Sequence, residues 1–265
     1  MSKLSQKPLS QNSLTQASPV SERFKHVRAT SRELGAPLSD ADATVQSMPD
    51  ASPAKWHLAH TTWFFETMVL KPNLPGYEVF DESFNYLFNS YYETIGERQP
   101  RPMRGMITRP HLDTIYAYRD HVDAAVETLL DRGASPTVAE LVELGCHHEQ
   151  QHQELLLTDI LHLFAQSPLK PAYRDPQPLG VGAEPGEARF VSFDGGIVEI
   201  GHDGEGFAFD SEGPRHRALL EPYRLADRLV TNGEFIAFIE DGGYRDPLLW
   251  LSAGWAAILA NKWEK

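Results

Sequence analysis

His148 and His152 stand four residues apart in the run Cys146-His147-His148-Glu149-Gln150-Gln151-His152-Gln153-Glu154-Leu155. On a helix this spacing places two imidazoles one above the other on one face, so both can aim at a single point, which is a metal-ligand spacing. Following that face outward gives Leu141, Leu144 or Gly145, Leu155, Asp159 and Leu163, a stripe of the kind that faces the interior of a helix bundle. Histidines at i and i+4 also occur on many helices as solvated or hydrogen-bonded residues, so the pair alone does not make a metal site. Glu154 follows His152 by two positions, and at about 100° per residue it turns to nearly the opposite side. It is therefore assigned as an outer-sphere or structural carboxylate, and a third ligand must come from another helix.

Two candidates for that ligand lie in Trp56-His57-Leu58-Ala59-His60-Thr61. His60 shares its stripe with Trp56 and Trp63, and His57 sits with Thr61 and Phe64; geometry alone prefers neither. Imidazole ligation suits zinc, copper, iron or nickel alike, so the donor type does not name the metal.

The elements that must position these residues follow from periodicity and punctuation. Phe24, Val27 and Leu34, with Gly35 and Pro37 behind them, predict a first amphipathic helix over 20–34. Ser52-Pro53 reads as an N-cap followed by proline at the first helical position, opening a second helix that runs toward Leu70 and ends at Lys71-Pro72. Pro110 opens a third helix carrying Leu112, Ile115, Val122, Val126 and Leu129 and closed by Gly133, and Ser135-Pro136 opens the fourth, which bears the histidine pair. Between Lys71 and Arg109 periodicity disappears, and aromatics, Asn and Pro crowd together with Arg98, Arg101, Arg104 and Arg109. A crossing segment of this length inside a compact domain is usually functional or disordered, and its aromatic content argues against disorder. Four helices with such a crossover make a bundle, a common scaffold for metal sites.

After a Pro- and Gly-rich stretch the pattern changes. Phe190-Val191-Ser192-Phe193, Asp194-Gly195-Gly196 and Ile197-Val198-Glu199-Ile200-Gly201 read as a hairpin. A further strand-like run covers 217–229, and Asn232 caps a short helix stopped by Gly242-Gly243. The predicted organisation is a disordered tail at 1–20, a helical bundle with the metal site at 21–169, a linker at 170–187 and a mixed α/β domain at 188–265.

With Lys+Arg 24 against Asp+Glu 37 among 265 residues, the formal charge is −13, and no basic stripe of the kind that grips phosphates is evident, which sets nucleic acid and anionic membranes aside. Cys146 is the lone cysteine, so an internal disulfide is excluded and a reducing compartment fits. The first twenty residues lack the apolar run of a secretory signal, and the stretch 248–260 is too short for a bilayer, which takes about 20 residues. The expectation is a soluble, cytoplasmic protein.

These motifs, taken together and in order, resemble the ergothioneine-biosynthesis sulfoxide synthases of the EgtB family, which join a DinB-like bundle bearing His-x3-His-x-Glu to a domain similar to the formylglycine-generating enzyme, or sulfatase-modifying factor, fold with a C-type-lectin-like architecture. His148-Glu149-Gln150-Gln151-His152-Gln153-Glu154 matches that motif, and Trp56-His57-Leu58-Ala59-His60-Thr61 resembles the segment supplying the third histidine, so the resemblance selects His60. It leaves His57 structural or solvent-facing. Phe88-Asn89-Ser90-Tyr91-Tyr92-Glu93 resembles the subgroup whose active-site tyrosines lie in the bundle domain, and Phe190 to Gly201 with Val230-Thr231-Asn232-Gly233-Glu234-Phe235 resembles the opening of the second domain. The resemblance implies a non-haem Fe(II), O2-dependent enzyme that joins a cysteine-type thiol, cysteine or γ-glutamylcysteine, to the imidazole C2 of hercynine and leaves the sulfur as sulfoxide. It implies Tyr91 or Tyr92 as a proton donor, and it gives Arg101 and Arg104 the donor's carboxylate, which guanidinium binds bidentately. A trimethylammonium substrate also suits an aromatic cage. Two other readings stand beside this one: a selenoneine-type or other DinB-like metal-dependent thiol enzyme, and an inactive metal- or partner-binding fragment. The family's second domain continues past Lys265, so the expectation is a C-terminally truncated chain.

Overall fold

A computed structural model describes residues 20–90, 96–176, 178 and 186–264. The chain divides into two units, Met1–Gln177 and Pro178–Lys265. Four main helices build the first: α1 (Val20–Gly35), α2 (Ala54–Phe64), α3 (Leu112–Asp131) and α4 (Pro136–Gln166). Helix α2 packs on α1, α3 and α4, and α1 packs along α4. Phe24, Trp63, Phe65, Ile115, Val122, Val142 and Leu156 are all fully or almost fully buried in the core between them.

The predicted starts and stops are partly revised. Ser135 caps α4 by accepting the Val138 N–H at 3.3 Å, as expected of Ser before Pro. Ser52 does not cap α2: the N-cap residue is Pro53, with no side-chain cap. The Ser52 hydroxyl instead accepts from Arg104 Nη1 at 2.9 Å, and its backbone N–H goes to Asp159 Oδ2 at 2.8 Å, so a buried guanidinium and a distant carboxylate have displaced the local cap. Helix α3 starts at Leu112, whose N–H is met by Asp40 Oδ1 at 2.7 Å from the short helix Asp40–Thr44. Helix α2 runs past its predicted end through a π-helical turn, Phe65–Leu70, and a last short turn, Lys71–Asn73. Buried Glu66 in that turn accepts from the hydroxyls of Tyr77 and Tyr118, each at 2.7 Å, and from the Phe80 N–H at 3.1 Å. The crossover is thereby tied to both α2 and α3. It also carries the short helix Phe84–Phe88 and the 3-10 turn Arg101–Met106.

Charge is buried at the centre of the bundle. Glu149 on α4 accepts from Arg28 of α1 at 2.8 Å, Arg119 of α3 at 2.7 Å and Ser31 of α1 at 2.5 Å. Arg28 reaches Thr62 of α2 at 3.0 Å, and Arg119 reaches the Leu58 carbonyl at 3.0 Å. All four helices thus share one hydrogen-bonded network, and although burial pushes the Glu149 carboxyl upward, Arg28 and Arg119 outweigh it and hold the group at about 2. Gly145 completes the packing: a Cβ there would stand 2.5 Å from the Phe65 ring, so α4 passes α2 at a distance only glycine allows.

In the second unit the predicted hairpin around Gly195 is not formed. Strand β1 (Phe190–Phe193) pairs antiparallel with β4 (Tyr223–Ala226), and β2 (Gly196–Ile200) pairs with β3 (His216–Leu220). The two ladders keep one register, Phe193 opposite Tyr223 and Gly196 opposite Leu220, so they form a single long ribbon interrupted once. Pro222, which has no N–H to donate, falls in the gap. Gly195 and Gly196, at φ +71° and +100°, make the kink there rather than a reversal, and a Gly195 Cβ would lie 2.3 Å from the Leu220 carbonyl oxygen. Helix α5 (Asn232–Glu240) is capped not by Asn232 but by Thr231, which exchanges hydrogen bonds with Glu234. Helix α6 (Ser252–Asn261) lies in the apolar stretch that follows. Among the described residues of this unit, Ile258 is the buried large hydrophobic side chain, while Leu229, Leu248 and Leu251 are almost fully exposed. No helix among the described residues is long and apolar enough to cross a membrane.

Candidate metal centre

Helix α2 contributes His60 and α4 contributes His148 and His152, and their ligand nitrogens lie within 4.8 Å of one another. Neighbouring ring centroids are 4.8–5.0 Å apart: His60 with His148 5.0 Å, His60 with His152 4.8 Å and His148 with His152 4.8 Å. Metal–imidazole bonds of about 2.0–2.1 Å require only a modest closing of this group. Asp, Glu or Cys does not join the cluster among the described residues.

Each ring has its own support. His60 is buried and its Nδ1 lies 2.6 Å from the Phe88 carbonyl oxygen. A carbonyl only accepts, so Nδ1 carries the proton and Nε2 keeps its lone pair. The carbonyl is in place because the crossover is strapped to α2, with Trp56 Nε1 donating to the Leu87 carbonyl at 3.1 Å and Trp63 Nε1 to Asn85 Oδ1 at 3.0 Å. Trp56 stacks on His60 at 4.5 Å with 12° between planes, and the Arg104 guanidinium sits 3.3 Å from the Trp56 ring centre. His148 Nδ1 is buried without a hydrogen-bond partner, an orphaned acceptor or donor of the kind a metal centre accounts for. Burial, reinforced by the neighbouring imidazoles, holds His60 and His152 well below the ordinary histidine value, and burial brings His148 down to about 4. At neutral pH the three rings are uncharged, the form in which imidazole binds metal. The residues present therefore fit a first-row metal ion.

The group opens on a cavity of about 460 Å³ whose wall includes Ser90, Arg101, Arg104 and Asp159. Arg104 is buried and held by Trp56, Ser52 and, at 3.2 Å, the Ser90 hydroxyl. Arg101 is exposed and reaches the Asp50 carbonyl. Both predicted arginines thus meet the three histidines at one cavity. Glu154 does not: its side chain is exposed, and the carboxylate buried behind the histidines is Glu149. Tyr91 and Tyr92 lie outside the described residues; Ser90, which precedes them, lines the cavity. His57 is buried rather than solvent-facing and contacts His152 and Asp159. For Asp159 the signal was present, since it lies on the same face of α4 as the pair. For Glu149 it was not, because its partners Arg28 and Arg119 are remote in the chain.

The model of the DinB superfamily matches residues 23–156, which contain the whole histidine group. A hercynine oxygenase from Mycolicibacterium thermoresistibile is 33% identical over 226 residues, covering 83% of this chain and 48% of that protein. Those from Mycolicibacterium smegmatis and Mycobacterium tuberculosis are 31% and 30% identical, covering 83% and 82% of this chain and 50% of each relative. The chain spans about half the length of these relatives.

Proposed function

The chain belongs to the DinB superfamily, and we propose that it is the metal-bearing part of a hercynine-directed sulfoxide synthase in ergothioneine biosynthesis. The observation that carries this reading is the convergence of His60, His148 and His152 on a cavity that also holds two guanidinium groups, in a chain 33% identical to a hercynine oxygenase. The proposed substrates are hercynine, a cysteine-type thiol (cysteine or γ-glutamylcysteine) and O2, acting in the cytoplasm. The second unit is proposed to be the opening of a formylglycine-generating-enzyme-like domain.

The three histidines would hold Fe(II), which supplies thiol activation and the reduction of dioxygen. What the chain's own residues contribute is placement and proton control. Arg104, clamped between Trp56 and two serine hydroxyls, presents a fixed cation to the carboxylate of the thiol substrate, and Arg101 lies on the same wall. Joining the thiol sulfur to the imidazole carbon releases one S–H and one C–H proton, and dioxygen supplies the sulfoxide oxygen and one water. That water needs protons delivered at the cavity, and Tyr91 or Tyr92, next in sequence to cavity-lining Ser90, is assigned this donor role. Trp56 and Trp63 flank the His60 ring and exclude water from its side of the centre.

The test is the nitrosyl complex of the Fe(II)-loaded chain, read by electron paramagnetic resonance. Adding cysteine or γ-glutamylcysteine is expected to perturb the signal, and Arg104→Met to weaken that response at least tenfold. A signal indifferent to both thiols contradicts the assignment.

A further inference from the structure

His57 is a fourth imidazole at the cavity and is not a member of the three-histidine group. Its Nε2 lies 3.0 Å from Asp159 Oδ2, and its Nδ1 lies 2.8 Å from His152 Nδ1. The same Asp159 oxygen accepts the Ser52 backbone N–H at 2.8 Å. The His57 side chain is 4% exposed and that of Asp159 12%.

These contacts constrain where the ring protons are. Asp159 Oδ2 already accepts the Ser52 N–H, and accepting from His57 in the same way assigns the hydrogen between them to His57 Nε2. With Nε2 turned to Asp159 as the donor, the neutral His57 ring presents Nδ1 to His152 as an acceptor. The hydrogen between the two imidazoles must come from His152 Nδ1, which leaves His152 Nε2 with its lone pair free.

We propose that Asp159 and His57 are a positioning pair for the metal centre, fixing His152 as the Nδ1–H tautomer with Nε2 turned toward the metal. This inference rests on the reading of the three histidines as a metal centre and names the device that prepares one of them. His60 is prepared differently, by the neutral Phe88 carbonyl. A ligand whose outer N–H leads to a carboxylate is oriented and made a stronger donor, and removing such a partner costs about 10–100-fold in metal affinity. His152 is thus the ligand whose donor strength the protein sets by charge, through one intervening ring.

The experiment uses the full chain and two readouts. In the metal-free protein labelled with 15N-histidine, long-range 15N–1H correlation is expected to show His152 protonated at Nδ1 and His57 at Nε2. With Co(II) as the probe, His57→Leu is expected to weaken binding about 10–100-fold and to alter the visible absorption band. His57→Gln, which restores an acceptor for His152, is expected to recover most of the affinity, and Asp159→Asn to fall between. His152 protonated at Nε2 overturns the inference even if His57→Leu does not fold. A His57→Leu protein with unchanged affinity and spectrum overturns it while leaving the three-histidine centre in place. A chain that takes up no Co(II) overturns both.

Discussion

His60 and His57 are three residues apart on one helix, and only three-dimensional partners separate their roles. His60 is turned by the Phe88 carbonyl and stacked on Trp56, whereas His57 is drawn to Asp159. The i, i+4 pair on α4 was legible in sequence because helix geometry alone brings it together; the choice of the third histidine came from a family resemblance. Arg104 shows the same limit, since a charged residue in an aperiodic segment gives no sign that it will be buried on a tryptophan. Truncating it leaves the Ser52 and Ser90 hydroxyls buried beside an emptied space. Arg104→Ala is therefore expected to destabilise the first unit by about 1–3 kcal/mol, measured by chemical denaturation followed by helical circular dichroism. Unchanged stability would mean that the stack and its two serine contacts add nothing to folding.

The four helices were legible as elements because three have an apolar stripe and α2, buried on every side, is apolar and aromatic along its length, each with a proline or glycine signal at an end. What periodicity could not supply was how closely they approach. Gly145 lies one turn before His148, and an alanine there would gain about 1 kcal/mol of helix propensity. Its Cβ would also meet the buried rings of Phe65 at 2.5 Å and Phe64 at 2.9 Å. Overpacking costs about 1–3 kcal/mol, so the clash wins and Gly145→Ala is expected to lower the melting temperature and, because Phe64 also borders His148, to weaken Co(II) binding. A variant as stable as the unmodified chain would show that the rings can move aside. In the second unit the strands were legible but their partners were not: Asp194-Gly195-Gly196 is a good hairpin turn by composition, yet a kinked ribbon uses the same positive-φ glycines. The caps at Ser52 and Asn232 failed for a related reason, because a better partner elsewhere, or one residue earlier, took the orphan N–H or the hydroxyl.

At the scale of the molecule, the Arg28–Glu149–Arg119 network is what joins all four helices behind the histidines, and it was illegible because each partner sits on a different helix. Removing one partner of a buried ionic group leaves uncompensated charge at a cost of about 3–5 kcal/mol. Glu149→Ala is accordingly expected to destabilise the bundle by that amount, as read by helical circular dichroism in denaturant; a loss under 1 kcal/mol would contradict the role given to the network. Every hydrogen bond described around the histidine group joins residues of the first unit. A chain of residues 20–176 is expected to fold and to bind Co(II) as the full chain does, with titration of both proteins as the check. Failure of that fragment to fold would show that the second unit completes it.

Whether His60, His148 and His152 form one metal centre is decided by anaerobic loading with Fe(II) followed by elemental analysis of the full chain and of the three single alanine variants. One tightly held Fe(II) per chain is expected, lost to below stoichiometric levels in His60→Ala, His148→Ala and His152→Ala alike, each variant keeping its helical signal. Equal iron in the unmodified chain and all three variants, or none in any of them, would contradict it.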